Sequence, residues 1–141
     1  MAVCIDAASF RNTGETTCHH LPCTINANGK ANVADFFETA IRIENEGLTS
    51  SFRGRPLHGQ EVTLPEGFIG VVLKEKGEAV IEEEVRQLHV QHRFLKFTAW
   101  NLDKIPNADD RLNKALRWIS IARALHRPVD LESSQQSVSG K

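Results

Sequence analysis

The sequence predicts a mainly β fold with a C-terminal helix, a β-barrel-type α+β chain, on three observations. Short apolar segments alternate with glycine and proline turns between residues 48 and 73, the pattern of a small barrel or sandwich. Residues 94–102 carry apolar side chains on both faces of a two-residue period, as a strand buried on both sides does. From Leu112 through Ala115, Leu116, Ile119 and Ala122 to Leu125 the apolar residues recur at helical spacing instead.

In chain order, residues 1–16 are expected to be a poorly ordered N-terminal segment. Residues 17–25 place Leu21, Cys23 and Ile25 at alternate positions, the period of a half-buried strand, with Pro22 favouring an edge. The pair Asn28-Gly29 then predicts a hairpin turn. Val33, Phe36 and Phe37 suit a short helical turn, after which residues 41–44 read as strand. Glu46 and Gly47 turn the chain. Strands follow at 48–52, 61–64 and 68–73, separated by Gly54, Pro56, Gly59 and Pro65 with Gly67. Residues 74–84 crowd five glutamates around Gly77 and predict an exposed hairpin tip. Asn107 to Asp110 offer capping residues and early negative charge for a helix near 108–126, which Pro128 ends. Residues 129–141 are almost free of apolar side chains and predict a disordered tail. One β-rich domain over 17–128 accounts for the rest.

Composition narrows the functional classes. A length of 141 residues suits one domain, and a net charge of -1 gives the whole chain no field to draw in a polyanion. No signal peptide is apparent at the start, and no stretch approaches the roughly twenty apolar residues of a membrane span, so cytosol or nucleus is the expected compartment. Three cysteines, an odd number, predict free thiols rather than a disulfide framework. Cys18, His19, His20 and Cys23 resemble metal ligands only briefly, because no second spaced pair follows to close a four-ligand zinc site.

No catalytic constellation emerges. A two-metal hydrolase needs carboxylates converging on cations about 4 Å apart, whereas Asp6, Asp35 and Asp103 are scattered and the glutamates sit in the acidic loop. Ser50 and Ser51 lie near His58 in sequence, but no Gly-x-Ser-x-Gly elbow accompanies them. Gly54, Gly59 and Gly67 are spaced as turn glycines and none opens the helix, so no phosphate cradle is formed. His89 and His92 are the one close histidine pair outside 18–23, and a strand setting suits chelation poorly. Catalytic, cofactor-binding and metal-binding residues are therefore all expected to be none. A rival class is an independent nucleic-acid-binding module, because Arg111, Lys114, Arg117, Arg123 and Arg127 make the helix locally basic.

A collinear set of short motifs points further. LPC at Leu21 to Cys23, FF at Phe36 and Phe37, AIR at Ala40 to Arg42, and GL with SFRGR between Gly47 and Arg55 appear in that order. They continue as EV at Glu61 and Val62, P-x-G at Pro65 to Gly67, FTxW at Phe97 to Trp100, L-x-x-I-P at Leu102 to Pro106, and AL-x-W at Ala115 to Trp118. Together they resemble the non-catalytic C subunit of eukaryotic heterotrimeric ribonuclease H type 2.

That resemblance implies a scaffold whose strands interleave with the accessory B subunit in a shared barrel assembly. This platform would carry the catalytic A subunit, which cuts RNA in RNA/DNA hybrids and at ribonucleotides embedded in DNA. It implies no cofactor in this chain, magnesium in the catalytic partner, contact with nucleic acid mainly through the complex, no membrane and a nuclear location. The candidate partner-interface residues are Phe36, Phe37, Phe52, Arg53, Arg55, Leu57, His58, Trp100 and Trp118, the arginines being suited to bidentate carboxylate contacts. The chain departs from the family pattern in three places: His58 stands where an arginine is expected, the acidic insertion is shortened to about 74–84, and Ile119 replaces a helix-breaking proline.

Overall fold

The computed structural model describes residues 2–77 and 85–128. The expected acidic hairpin tip lies outside the described residues from position 78 to 84, and so does the expected tail at 129–141. The elements are β1 (Val3–Ile5), α1 (Ala7–Asn12), β2 (His19–His20), α2 (Val33–Phe36), a 3₁₀ turn (Glu38–Ala40), β3 (Arg42–Glu44), β4 (Gly47–Phe52), β5 (Arg55–Thr63), β6 (Gly70–Glu75), β7 (Arg86–Phe94), β8 (Lys96–Leu102) and α3 (Arg111–Leu125). The fold is thus mostly β-sheet with a C-terminal helix. Rather than one domain over 17–128, two units form, Met1–Asn107 and Ala108–Lys141. The loop after β8, with Asp103 at φ 51° and Pro106 following, separates them.

The frame of the first unit is a two-stranded antiparallel arm that bends halfway. β5 pairs with β8 and β6 with β7, and between the ladders the Leu64 amide donates to the Leu95 carbonyl at 2.9 Å. Pro65 has no amide to donate, Gly67 takes φ 86°, and the Phe68 amide closes the turn on the Pro65 carbonyl at 3.0 Å. The chain therefore bends there while its partner strand bends at Leu95. Three further strands widen the first half of the arm, giving a sheet in the order β2-β8-β5-β4-β3; the second half forms β1-β7-β6.

The N-terminal segment follows β7 and β8 along their length. β1 pairs in parallel with β7, Glu15 bridges Arg93, and β2 pairs in parallel with β8. Where α1 interrupts this ladder, hydroxyls substitute for backbone: the Val90 amide donates to Ser9 Oγ at 3.0 Å and Thr13 Oγ1 donates to the Val90 carbonyl at 3.1 Å. Residues 2–16 are accordingly not the poorly ordered segment expected. Side-chain hydroxyls attach them, and such an attachment leaves no apolar period to read.

Other boundaries moved for local reasons. Within the strand expected at 17–25 only His19 and His20 pair, because Pro22 cannot extend the ladder. Asn28-Gly29 makes no hairpin; the chain runs on to α2, whose N-cap Asn32 accepts from the Asp35 amide. β5 passes through both Pro56 and Gly59 without a break. The strand setting expected for His89 and His92 is β7, whose full nine residues were not marked out because a register shift opposite Val72 and Leu73 on β6 disturbs its alternation.

Phe37, Leu57 and Trp100 form the buried centre, with Leu21, Ile41, Leu48 and Phe52 packed around it. Phe37 meets Trp100 edge-on at 5.5 Å and Phe52 at 6.2 Å, the arrangement aromatic quadrupoles favour. Trp100 stands directly opposite Gly59 on β5, and a Cβ at position 59 would lie 2.6 Å from its ring. Gly70 and Phe94 repeat the arrangement across β6 and β7. At the outer end of those two strands Arg86 grips Glu75 through Nε and Nη2, at 2.6 and 2.5 Å.

Gly59→Ala should therefore lower stability by about 1–3 kcal/mol through overpacking, read as a lower urea midpoint. In a Trp100→Ala background, itself costing about 3–5 kcal/mol, the same change should cost distinctly less. The Arg86 guanidinium holds Glu75 below the usual carboxylate range. Its contribution is present above that range and is lost as pH falls through the lower folded value. Acid titration of stability should thus flatten at its low end in Glu75→Gln.

Candidate functional site

The hairpin between β4 and β5 shapes the candidate site. Phe52 and Arg55 are its closing pair, and the two turn residues, Arg53 and Gly54, take φ 50° and 74°. Both positive angles match a type I′ turn, whose twist suits the flanking strands. Gly54 adopts that conformation freely. Arg53 does so at a cost of about 1–3 kcal/mol, and its guanidinium lies 6.0 Å from the Phe52 ring centroid, within reach of a cation–π contact.

The turn borders a cleft of about 590 Å³ whose apolar lining includes Leu21, Ile25, Phe52, Leu57 and Leu102, with Arg53 and Arg55 beside it. Four of the residues proposed from sequence, Phe52, Arg53, Arg55 and Leu57, thus converge on one concavity. Ile25 and Leu102, which also line it, were missed as site residues; Ile25 is 61% exposed. An apolar cleft carrying two guanidinium groups suits a ligand that is itself apolar and acidic.

The remaining candidates separate. Phe37, Leu57 and Trp100 are buried by their own chain, at 6%, 3% and 1% exposure. Phe37 and Trp100 therefore serve as core rather than contact residues, and Leu57 offers the cleft only a sliver of surface. Phe36 is the opposite case, 84% exposed on α2, and Ile43 on the edge strand β3 is 87% exposed; sequence reading included the first and omitted the second. His58 is half-buried on β5 opposite Thr49. Trp118 belongs to the second unit and is 63% exposed on α3.

Behind the cleft, a polar relay ties three elements together. The Trp100 indole N–H donates to His19 Nδ1 at 3.3 Å, and His19 Nε2 lies 3.2 Å from Glu38 Oε1. Because an indole nitrogen can only donate, His19 Nδ1 must accept and Nε2 carries the proton toward Glu38. His19 is thereby occupied as a structural bridge from β8 to the 3₁₀ turn. Burial pushes the Cys18 thiol up, which disfavours its thiolate. Among the described residues no group of three His, Cys, Asp or Glu side chains is placed to hold a metal ion, and no helix is long and apolar enough to cross a membrane.

Comparison with known proteins gives the site its context. Residues 17–125 match the family of the ribonuclease H2 non-catalytic subunit (Ylr154p-like). The chain belongs to this family. It is 36% identical to the C subunit of ribonuclease H2 from Bos taurus and 35% identical to that from Mus musculus, in each case over 86% of this chain and 87% of the relative. An uncharacterized protein of Schizosaccharomyces pombe is 34% identical over 72% of this chain. The chain is therefore a non-catalytic subunit, and membership of a ribonuclease H2 complex with other subunits follows from its family.

Because the turn strains the backbone of Arg53, and asparagine accepts a positive φ more readily, Arg53→Asn should keep the hairpin and raise stability by about 0.5–1 kcal/mol. Thermal unfolding would show this as a small upward shift in Tm; a drop would mean that the guanidinium itself holds the turn.

Proposed function

We propose that this chain is a scaffold subunit of a heterotrimeric ribonuclease H type 2, positioning a catalytic subunit that cleaves RNA in RNA/DNA hybrids and at ribonucleotides embedded in DNA. The observation that carries the proposal is the combination of relatedness to ribonuclease H2 C subunits over most of the chain with an unusually small core. Among the described residues only Phe37, Leu57, Val62, Val90 and Trp100 are buried hydrophobics, while large apolar side chains such as Phe36, Ile43, Phe68 and Ile69 are exposed. Surface of that kind is the mark of an interface.

In this reading the edge strands β3 and β6 receive strands of the accessory B subunit, completing a shared barrel by strand addition. The cleft beside Arg53 and Arg55 receives the catalytic A subunit, whose carboxylates would pair with the two guanidinium groups. His58, next to Leu57 on the same strand, faces the other side of the sheet and takes no part in that contact. Magnesium serves the reaction in the catalytic partner, this chain needs no cofactor, nucleic acid is met mainly through the complex, and the assembly works in the nucleus.

Two observations weigh against the rival of a self-sufficient nucleic-acid-binding helix. Lys114 lies 3.6 Å from Asp109, and Arg117 donates to the Ala108 carbonyl at 3.4 Å, so part of the basic charge is used within the second unit.

Co-expression of the chain with its A and B subunits should give a stable trimer that hydrolyses an RNA/DNA hybrid with magnesium, whereas the chain alone should be inactive. Arg55→Glu should weaken its association with the catalytic partner by about ten-fold or more, the loss expected for an interfacial arginine. Hydrolysis by the isolated chain, or hybrid binding by it that falls steeply with salt, would overturn the proposal.

A further inference from the structure

We propose that residues 3–12 form a displaceable strap, latched to the outer edge of β7 through Asp6 and His89, whose hold on that edge weakens as pH rises. The strap precedes the family-matched residues 17–125, and the contacts that hold it all lie within this chain.

The attachment is weak by construction. β1 has three residues, all exposed, and pairs in parallel, the less stable ladder. Val3 and Ile5 remain 57% and 50% exposed, so little apolar burial holds them. What holds the strap is polar: the Arg86 amide donates to the Ala2 carbonyl at 3.0 Å, the Asp6 amide donates to the Leu88 carbonyl at 2.9 Å, and the Ser9 and Thr13 hydroxyls bond Val90.

Asp6 joins the two halves of this attachment. Its Oδ1 accepts from the Ala8 amide at 2.9 Å, capping α1, while Oδ2 lies 3.2 Å from His89 Nδ1. The Ala8 amide, with His89 adding to it, holds the Asp6 carboxyl below its usual range, so the carboxylate stays charged as pH rises and the imidazole is the variable partner. Among the described residues the charged groups set beside His89 are Asp6 from the strap and Lys74, its cross-strand partner on β6; Arg86, further along β7, is engaged by Glu75. With His89 protonated, the contact to Asp6 is charge-assisted; with His89 neutral, it is an ordinary hydrogen bond of about half the strength. Lys74 opposes the protonated form and limits the size of the effect.

A second histidine supplies an internal reference. Thr16 Oγ1 lies 3.3 Å from His92 Nδ1, and a hydroxyl serves either proton state, donating to a bare nitrogen or accepting from an N–H. The Thr16 amide, which donates to the Arg93 carbonyl at 2.9 Å, should therefore be insensitive to pH. Release of the strap alone would uncover the β7 edge around residues 86–90 for pairing with another extended segment.

The test is hydrogen exchange on the full chain within its assembled complex, across the range of about pH 5 to 8 where imidazoles change charge, with protection factors corrected for the intrinsic rate. Protection of the Asp6 and Arg86 amides should fall about two- to five-fold from the acid to the alkaline end, the scale of a partly exposed ion pair, while Thr16 stays level. Both His89→Gln and Asp6→Asn, the latter retaining the cap, should abolish the fall. A level profile in the unaltered protein, a fall shared by Thr16, or a fall that persists in His89→Gln would overturn the proposal.

Discussion

Trp100 lies across Gly59, its partner on the neighbouring strand, and a side chain at that position would collide with the ring. This contact decides how the first unit is organised. It lets a large indole lie flat on β5, which brings Phe37 edge-on to it and leaves the indole N–H aimed at His19. Helical turn, edge strand and central hairpin are thereby tied to one ring. The same device recurs at the other half of the bent arm, where Phe94 covers Gly70. In both places a glycine that weakens a strand on its own is compensated by an aromatic neighbour.

The centre built this way is small. Its three clustered side chains contribute roughly 2–3 kcal/mol each on burial, a modest sum against the conformational entropy of a chain this long. Meanwhile large apolar residues stay exposed at Phe36 on α2, at Ile43 on the edge strand β3, and at Phe68 and Ile69 before β6. A chain with such a division between core and surface is well suited to finishing its fold against other subunits. Its family is that of a non-catalytic subunit, which agrees with the absence of any nucleophile or carboxylate constellation in its motifs. The strained Arg53 turn fits the same division, since the fold would be served better by another residue there and a partner is what an outward guanidinium can serve.

How legible all this was from sequence depended on which force shaped each element. α3 and the β4–β5 region were readable because apolar period and turn residues carry them. A strand around His89 and His92 could be read but the extent of β7 could not, because those histidines and a register shift obscure its alternation. β1 and α1 were invisible, since backbone hydrogen bonds, hydroxyls and one carboxylate hold them rather than apolar burial. Pro56 and Gly59 read as breaks although β5 runs through both, because the compensation for Gly59 comes from Trp100, over forty positions away. At the site, SFRGR marked the turn correctly. Phe37 and Trp100 were assigned to the interface because an apolar side chain facing its own core looks, in sequence, the same as one facing a partner.

The central claim is that apolar surface left open by this chain is covered by other subunits. Hydroxyl-radical footprinting of the isolated chain and of its assembly with the A and B subunits tests it most directly, through the oxidation rates of Phe36, Ile43, Phe68 and Ile69. The account predicts that these rates fall sharply on assembly while that of Trp100, already buried, stays low in both. Equal reactivity of all four residues before and after assembly would contradict it.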